Sequence, residues 1–117
     1  MGYPRFEIAK DAKGEFRFNL FAVNARNILR SSEGYTTKQN CKKAIESVKI
    51  NAPDDNRYKR GTASNGQYFF TLHARNGETL GISEMYTTIL NRENGIDAVK
   101  RNAPIATVVD LTVNQHV

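Results

Sequence analysis

The sequence predicts an α+β protein, two tandem β-β-β-α units that share one antiparallel sheet packed by two helices. The first observation behind this is self-similarity, which sets an architecture before any local assignment. A shift of 52 residues lays Arg5, Gly14, Phe18, Leu20, Ala22 and Asn24 onto Arg57, Gly66, Phe70, Leu72, Ala74 and Asn76. Past those Asn turns a shift of 51 pairs Glu33, Tyr35, Thr36, Thr37 and Asn40 with Glu84, Tyr86, Thr87, Thr88 and Asn91, and runs on to an Asn-Ala-Pro that closes each copy at Pro53 and Pro104. The second observation is that each copy alternates apolar and polar residues and then changes to one apolar stripe at the helical period. The third is a Val- and Thr-rich segment after Pro104, which reads as a closing strand.

In chain order, Arg5 to Lys10 alternates Phe6 and Ile8 with Glu7 and Ala9, the pattern of a half-buried strand. Asp11 to Gly14 supplies a turn. Glu15 to Ala22 is the clearest strand, with Phe16, Phe18 and Leu20 on one face and Glu15, Arg17, Asn19 and Phe21 on the other. Asn24 to Asn27 turns the chain into a third strand, Ile28 to Ser32, with Leu29 inward. Thr36 or Thr37 caps a helix, and Thr36 with Gln39 has the spacing of a capping box. Cys41, Ala44, Ile45, Val48 and Ala52 form its apolar stripe, lysines cover the rest, and Pro53 ends it. Asp54 to Asn56 is a connector.

The second copy repeats the order. Arg57 to Thr62 is a strand weakened by Arg60 and Gly61, and Tyr68, Phe70 and Leu72 mark the strong strand. Asn76-Gly77 signals a type I′ hairpin, followed by Leu80 and Ile82 as an inward pair. A helix near Thr88 to Asn102 keeps Ile96 and Val99 but has Arg92 for Cys41 and Gly95 for Ala44. A mid-helix glycine costs about 0.5–1 kcal/mol, so a close neighbour, the sheet or the other helix, is expected at Gly95. Ala106 to Thr112 is the last strand.

The chain has 117 residues, 39% hydrophobic and 25% charged, values that fit a single ordered domain over 1–117 made of repeats 5–53 and 57–104 with a closing strand at 105–113. One cysteine makes no internal disulfide, and two distant histidines make no zinc cluster. No apolar run approaches the roughly 20 residues of a membrane span, and the opening Met-Gly-Tyr-Pro-Arg-Phe has no signal-peptide core. A reduced, cytoplasmic protein with no metal, no cofactor and no membrane association is expected. The net charge of +5 attracts polyanions in general and names none of them.

The blocks Gly14-Glu-Phe-Arg-Phe, Ser32-Glu-Gly-Tyr, Asn76-Gly-Glu and Asn94-Gly-Ile, with Asn-Ala-Pro closing each copy, resemble the YegP family of small tandem-repeat proteins over residues 5–113. The resemblance implies three antiparallel strands and a helix per repeat in one sheet, with C-terminal strands exchanged between the repeats. It implies fold rather than function and brings no catalytic residues with it.

No phosphate loop, nucleophile elbow or His-x-x-x-His pair occurs. Cys41 with His73 as its base is a conceivable nucleophile, but Cys41 lies on the apolar helix stripe, where cysteine acts as a small hydrophobe. Glu33 and Glu84 recur before each helix and are read as structural, as are Tyr35 and Tyr86. The expected function is therefore non-enzymatic binding or protein interaction. If both helices lie on one side, the other sheet face carries Arg17, Phe21, Lys59, Phe69 and His73, with Arg75 at its rim. Interleaved rings and cations suit single-stranded nucleic acid, the alternative reading. A partner subunit or plain solvent over that face are the competing ones. Both repeats sit in one chain, so a monomer is expected.

Overall fold

The computed structural model describes residues 3–113, in the order β1 (Arg5–Lys10), β2 (Phe16–Phe21), β3 (Asn27–Ser31), α1 (Lys38–Asn51), β4 (Tyr58–Thr62), β5 (Tyr68–His73), β6 (Thr79–Ile82), α2 (Ile89–Asn102) and β7 (Thr107–Asp110). Met1, Gly2 and His116, used above in judging a leader and a metal cluster, lie outside the described residues. One sheet takes all seven strands in the order β4-β5-β6-β3-β2-β1-β7. Neighbours are antiparallel except β1 and β7, where Arg5 to Ile8 run beside Thr107 to Asp110 in the same direction. The sheet is therefore mixed, a correction to the wholly antiparallel expectation. The last strand arrives from a helix and not through a hairpin, which leaves it free to run parallel.

Alternation decides which face is covered. Phe6, Ile8, Phe18, Leu20, Leu29, Phe70 and Leu72 are buried in one cluster with Cys41, Ile45 and Val48 of α1 and Ile96 and Val99 of α2. Both helices thus cover the same side. Their starts are set by Thr37 and Thr88, whose side chains accept from the amides of Asn40 and Asn91 at 3.1 and 3.0 Å. The cap of α1 is therefore Thr37 with Asn40, not the Thr36 and Gln39 box. At the far edge Arg60 of β4 pairs with Glu93 of α2 and with Asp55, which also holds Lys100.

Four hairpin turns share one geometry. The amides of Gly14, Ala25, Gly66 and Gly77 donate to Asp11, Ala22, Ala63 and Ala74 at 2.8–3.0 Å, and each of these four residues has positive φ, 81°, 67°, 85° and 92°. Asn76 does not, so Asn76-Gly77 forms a type I turn closed by one left-handed residue in place of the expected type I′ turn. Its Oδ1 instead accepts from the Glu78 amide at 2.9 Å.

The third strands hold the largest departure from simple alternation. Register shifts opposite Leu20/Phe21 and Leu72/His73 leave Ile28 and Leu80 as extra residues. A bulge turns its extra side chain onto the face of the next one, which explains why Ile28 and Leu29 are both buried. In β6 the same slip puts Leu80 and Gly81 inward and Ile82, opposite Thr71, on the open face. The inward pair Leu80 and Ile82 is corrected accordingly. Ser31 and Ser83 then sit alike, their hydroxyls accepting from the amides of Phe18 and Phe70 at 3.3 and 3.0 Å. The shift of 52 therefore holds to Ser31 and Ser83. The residue is lost later than the Asn24 and Asn76 turns, in the loop between Ser31 and Tyr35 and its counterpart between Ser83 and Tyr86.

Candidate functional site

Registers carry one row straight across the open face: Lys59, Thr71, Ile82, Arg30, Asn19, Glu7 and Val109. Of the six residues expected to form a binding face, Arg17, Phe21, Lys59, Phe69 and His73 belong to strands of this face and Arg75 lies in the β5–β6 turn. Their groups are mostly engaged already. Arg17 pairs with Asp11 at 2.8 Å, and the Arg5 guanidinium lies 4.8 Å from the centre of the Phe21 ring. The Phe69 ring lies on Gly61, where a Cβ would come within 2.6 Å of its Cζ. A glycine opposite an aromatic ring commonly has this role of letting the ring lie flat on the sheet. His73 stands between the hydroxyls of Thr71 and Thr79, at 2.7 and 3.2 Å. Lys59, Arg75 and the neighbouring Arg30 are exposed and make no ion pair or hydrogen bond with their side chains among the described residues.

The concave features lie on the helix side. A cleft of about 730 Å³ separates α2 from the β2–β3 turn, lined by Ala22, Val23, Asn24, Arg26, Ile28, Tyr86, Asn91, Asn94, Gly95, Ala98, Arg101 and Asn102. A cleft of about 370 Å³ occupies the corresponding place between α1 and the β5–β6 turn, with Glu33, Tyr35, Asn40, Lys43, Ala44, Ser47, Glu78 and Leu80. Tyr35 and Tyr86 are equivalent: each forms an isolated antiparallel bridge, to Phe16 and to Tyr68.

The second tyrosine is the deeper one. Tyr86 is 6% exposed whereas Tyr35 is only partly buried, because a Cβ at Gly95 would overlap the Tyr86 hydroxyl. The neighbour expected at Gly95 is thus neither the sheet nor the other helix but this phenol. Burial, and then the charge of Glu84, raises the Tyr86 pKa, so the group is a donor at neutral pH. Its oxygen has no hydrogen-bond partner among the described residues and is not sealed from the cleft. Arg26 pairs with Glu84 at 2.8 Å and lies 5.9 Å from the centre of the Tyr86 ring. Arg101 makes no ion pair among the described residues. Sequence reasoning passed over Asn91, Asn94, Arg101 and Val23, although Gly95 on an otherwise ordinary helix pointed to the place.

The other candidates separate. Cys41 is buried under the helices and burial raises its thiol to about 11, while His73 is on the opposite face. Glu84 is taken up by Arg26, and Glu33 lines the smaller cleft.

A family model described as a domain of unknown function, DUF1508, matches this chain twice, at residues 11–58 and 63–110. The UPF0339 protein YegP of Escherichia coli K12 is 46% identical over 107 residues, covering 92% of this chain and 96% of that one. A UPF0339 protein of Bordetella pertussis is 47% identical over 105 residues, covering 90% and 94%. The solution structure of yegP from E. coli, a protein of unknown function, superposes with a TM-score of 0.88 at 43% identity over 97% of this chain and 98% of that one. That of a UPF0339 protein from Shewanella oneidensis gives 0.89 at 38% identity, covering 97% and 95%. With sequence, family model and fold in agreement, the chain belongs to the UPF0339 family, DUF1508, whose function is unknown.

Proposed function

We propose that the protein is a monomeric, non-catalytic binding module whose ligand enters the cleft between α2 and the β2–β3 turn. The observation that carries this reading is the Tyr86 hydroxyl, on a residue nine-tenths buried, open to the cleft and without a protein partner. A donor held this way is a polar anchor beside the apolar Val23, Ile28 and Ala98 of the wall, and a few convergent polar groups in a concave site are what orients a small molecule. The volume is also in the ordinary range for such sites. The two halves are copies of one unit, on this reading, and β7 is a strand the second copy hands to the edge of the first. Duplication then freed one cleft to keep or gain a ligand. The test is a fragment screen by amide-shift NMR on uniformly labelled protein. Hits are expected to move Tyr86, Asn91, Gly95 and Ala98 together; hits that move only open-face residues overturn the reading.

The single-stranded nucleic-acid reading is favoured by one observation, the three exposed and unpaired cations Arg30, Lys59 and Arg75. Its rings give it limited support, since Arg5 already lies over Phe21 and the Phe69 ring rests on Gly61, which leaves at most one face of each for a base. Titration with a mixed-sequence oligonucleotide at low and physiological salt separates the two: a platform saturates and shifts Arg17, Phe21, Lys59, Phe69, His73 and Arg75 as a set.

A further inference from the structure

The cleft selects for charge as well as shape. Resting on the binding reading above, we infer that its ligand is a small organic carboxylate with a short apolar body and at least one amide or hydroxyl group. Three features compose this description. The first is the cation. Arg101 lies on the last turn of α2, lines the cleft, and has no acidic partner among the described residues. No Asp or Glu lines this cleft, whereas its counterpart in the first half presents Glu33 and Glu78. A guanidinium free of a partner matches the two oxygens of a carboxylate.

The second feature is a donor and an acceptor on two deeply buried residues of the lining, Tyr86 beside Gly95 and Asn102 farther along α2. Tyr86 offers its hydroxyl proton. Asn102 is 9% exposed and donates its Nδ2 to the Ala98 carbonyl at 2.7 Å, which leaves its Oδ1 as an acceptor with no donor among the described residues. Neutral amide or hydroxyl groups on the ligand satisfy them, an acceptor facing Tyr86 and a donor facing Asn102. The third feature is the wall of Val23 and Ile28, the former 49% exposed, against which a few methyl groups are covered.

The test is a set of matched pairs: N-acetylalanine and N-acetylleucine, each beside its own neutral C-terminal amide, with inorganic phosphate as a bare anion. Dissociation constants are read from amide shifts of the full chain. The acids are expected to bind about tenfold tighter than their amides, and Arg101→Gln to remove most of that difference. Arg101 is exposed, so the variant should keep the fold, which its own spectrum checks. Phosphate is expected to shift Arg101 and leave Val23 and Ile28 unmoved. If acids and amides bind this cleft equally, the carboxylate inference falls and the binding reading stands. If neither member of any pair shifts the cleft, both fall. If phosphate reproduces the whole pattern, the apolar body is wrong and the site is an anion site only.

Discussion

The two clefts occupy the same place in the two halves of the sheet, yet one is about twice the volume of the other and carries the opposite charge. The backbone frame around them is shared: equivalent bulges, equivalent serine bonds to Phe18 and Phe70, and equivalent threonine caps. What differs is a few side chains: Lys43, Ala44 and Ser47 against Asn94, Gly95 and Ala98 on the helix face, and Glu33 and Glu78 against Arg26 and Arg101 for the charge. The lesson is that the frame is held in common by packing, while the recess above it is set by residues that packing leaves free.

That claim is exposed to a series of substitutions. The largest effects belong to the shared frame. Phe18→Ala and Phe70→Ala remove fully buried rings, and each should cost about 3–5 kcal/mol in denaturant unfolding. Similar costs within a single transition support a common frame; a large cost for one and a small cost for the other breaks it. Next comes Gly95→Ala, where the methyl meets the Tyr86 hydroxyl. It should cost about 1–3 kcal/mol and push Tyr86 toward the shallower setting of Tyr35, visible as greater solvent accessibility of the ring. In the first half, Ala44→Gly should cost only about 0.5–1 kcal/mol, because it removes a helix former without relieving a clash.

The turns give a smaller contrast. Ala25 holds a left-handed φ of 67° where Gly14, Gly66 and Gly77 serve elsewhere, so Ala25→Gly should stabilise the fold by about 1 kcal/mol and Gly77→Ala should destabilise it by a similar amount. The smallest effect concerns β7. Asp110 pairs with Lys38 at 2.7 Å. Burial alone would raise its pKa, but the Lys38 ammonium and the hydrogen bonds from Thr112 outweigh it and bring the carboxyl from 3.8 to about 2. Because the folded value is the lower one, the contribution is complete above about pH 4 and fades as pH falls through about 2. Asp110→Asn should cost about 0.2–1 kcal/mol at neutral pH and flatten the acid limb of the melting-temperature profile.

Much of the fold was legible because it rests on repeated local signals. The alternation of Phe6, Phe18 and Phe70 and the helix stripe through Ile45 and Val48 assigned the strands and the covered face. The bulges at Ile28 and Leu80 were not legible, since an extra residue leaves no mark in composition and only shifts the apparent phase of Ile82. The parallel placing of β7 depends on a pairing between the two ends of the chain, which no local pattern encodes. The cleft was half legible. Gly95 announced a close neighbour, but the partner, Tyr86, is nine residues earlier on the far side of a loop, and its hydroxyl matters only once the recess exists.

The measurement that most directly tests the account is ¹⁹F NMR of protein labelled with 3-fluorotyrosine, titrated with small acidic fragments. The chain holds five tyrosines, each assignable by substitution with Phe, so the two clefts report side by side. The account predicts that the Tyr86 resonance shifts and saturates while that of Tyr35 stays in place. A Tyr35 response equal to that of Tyr86, or a still Tyr86 beside moving open-face amides, would contradict it.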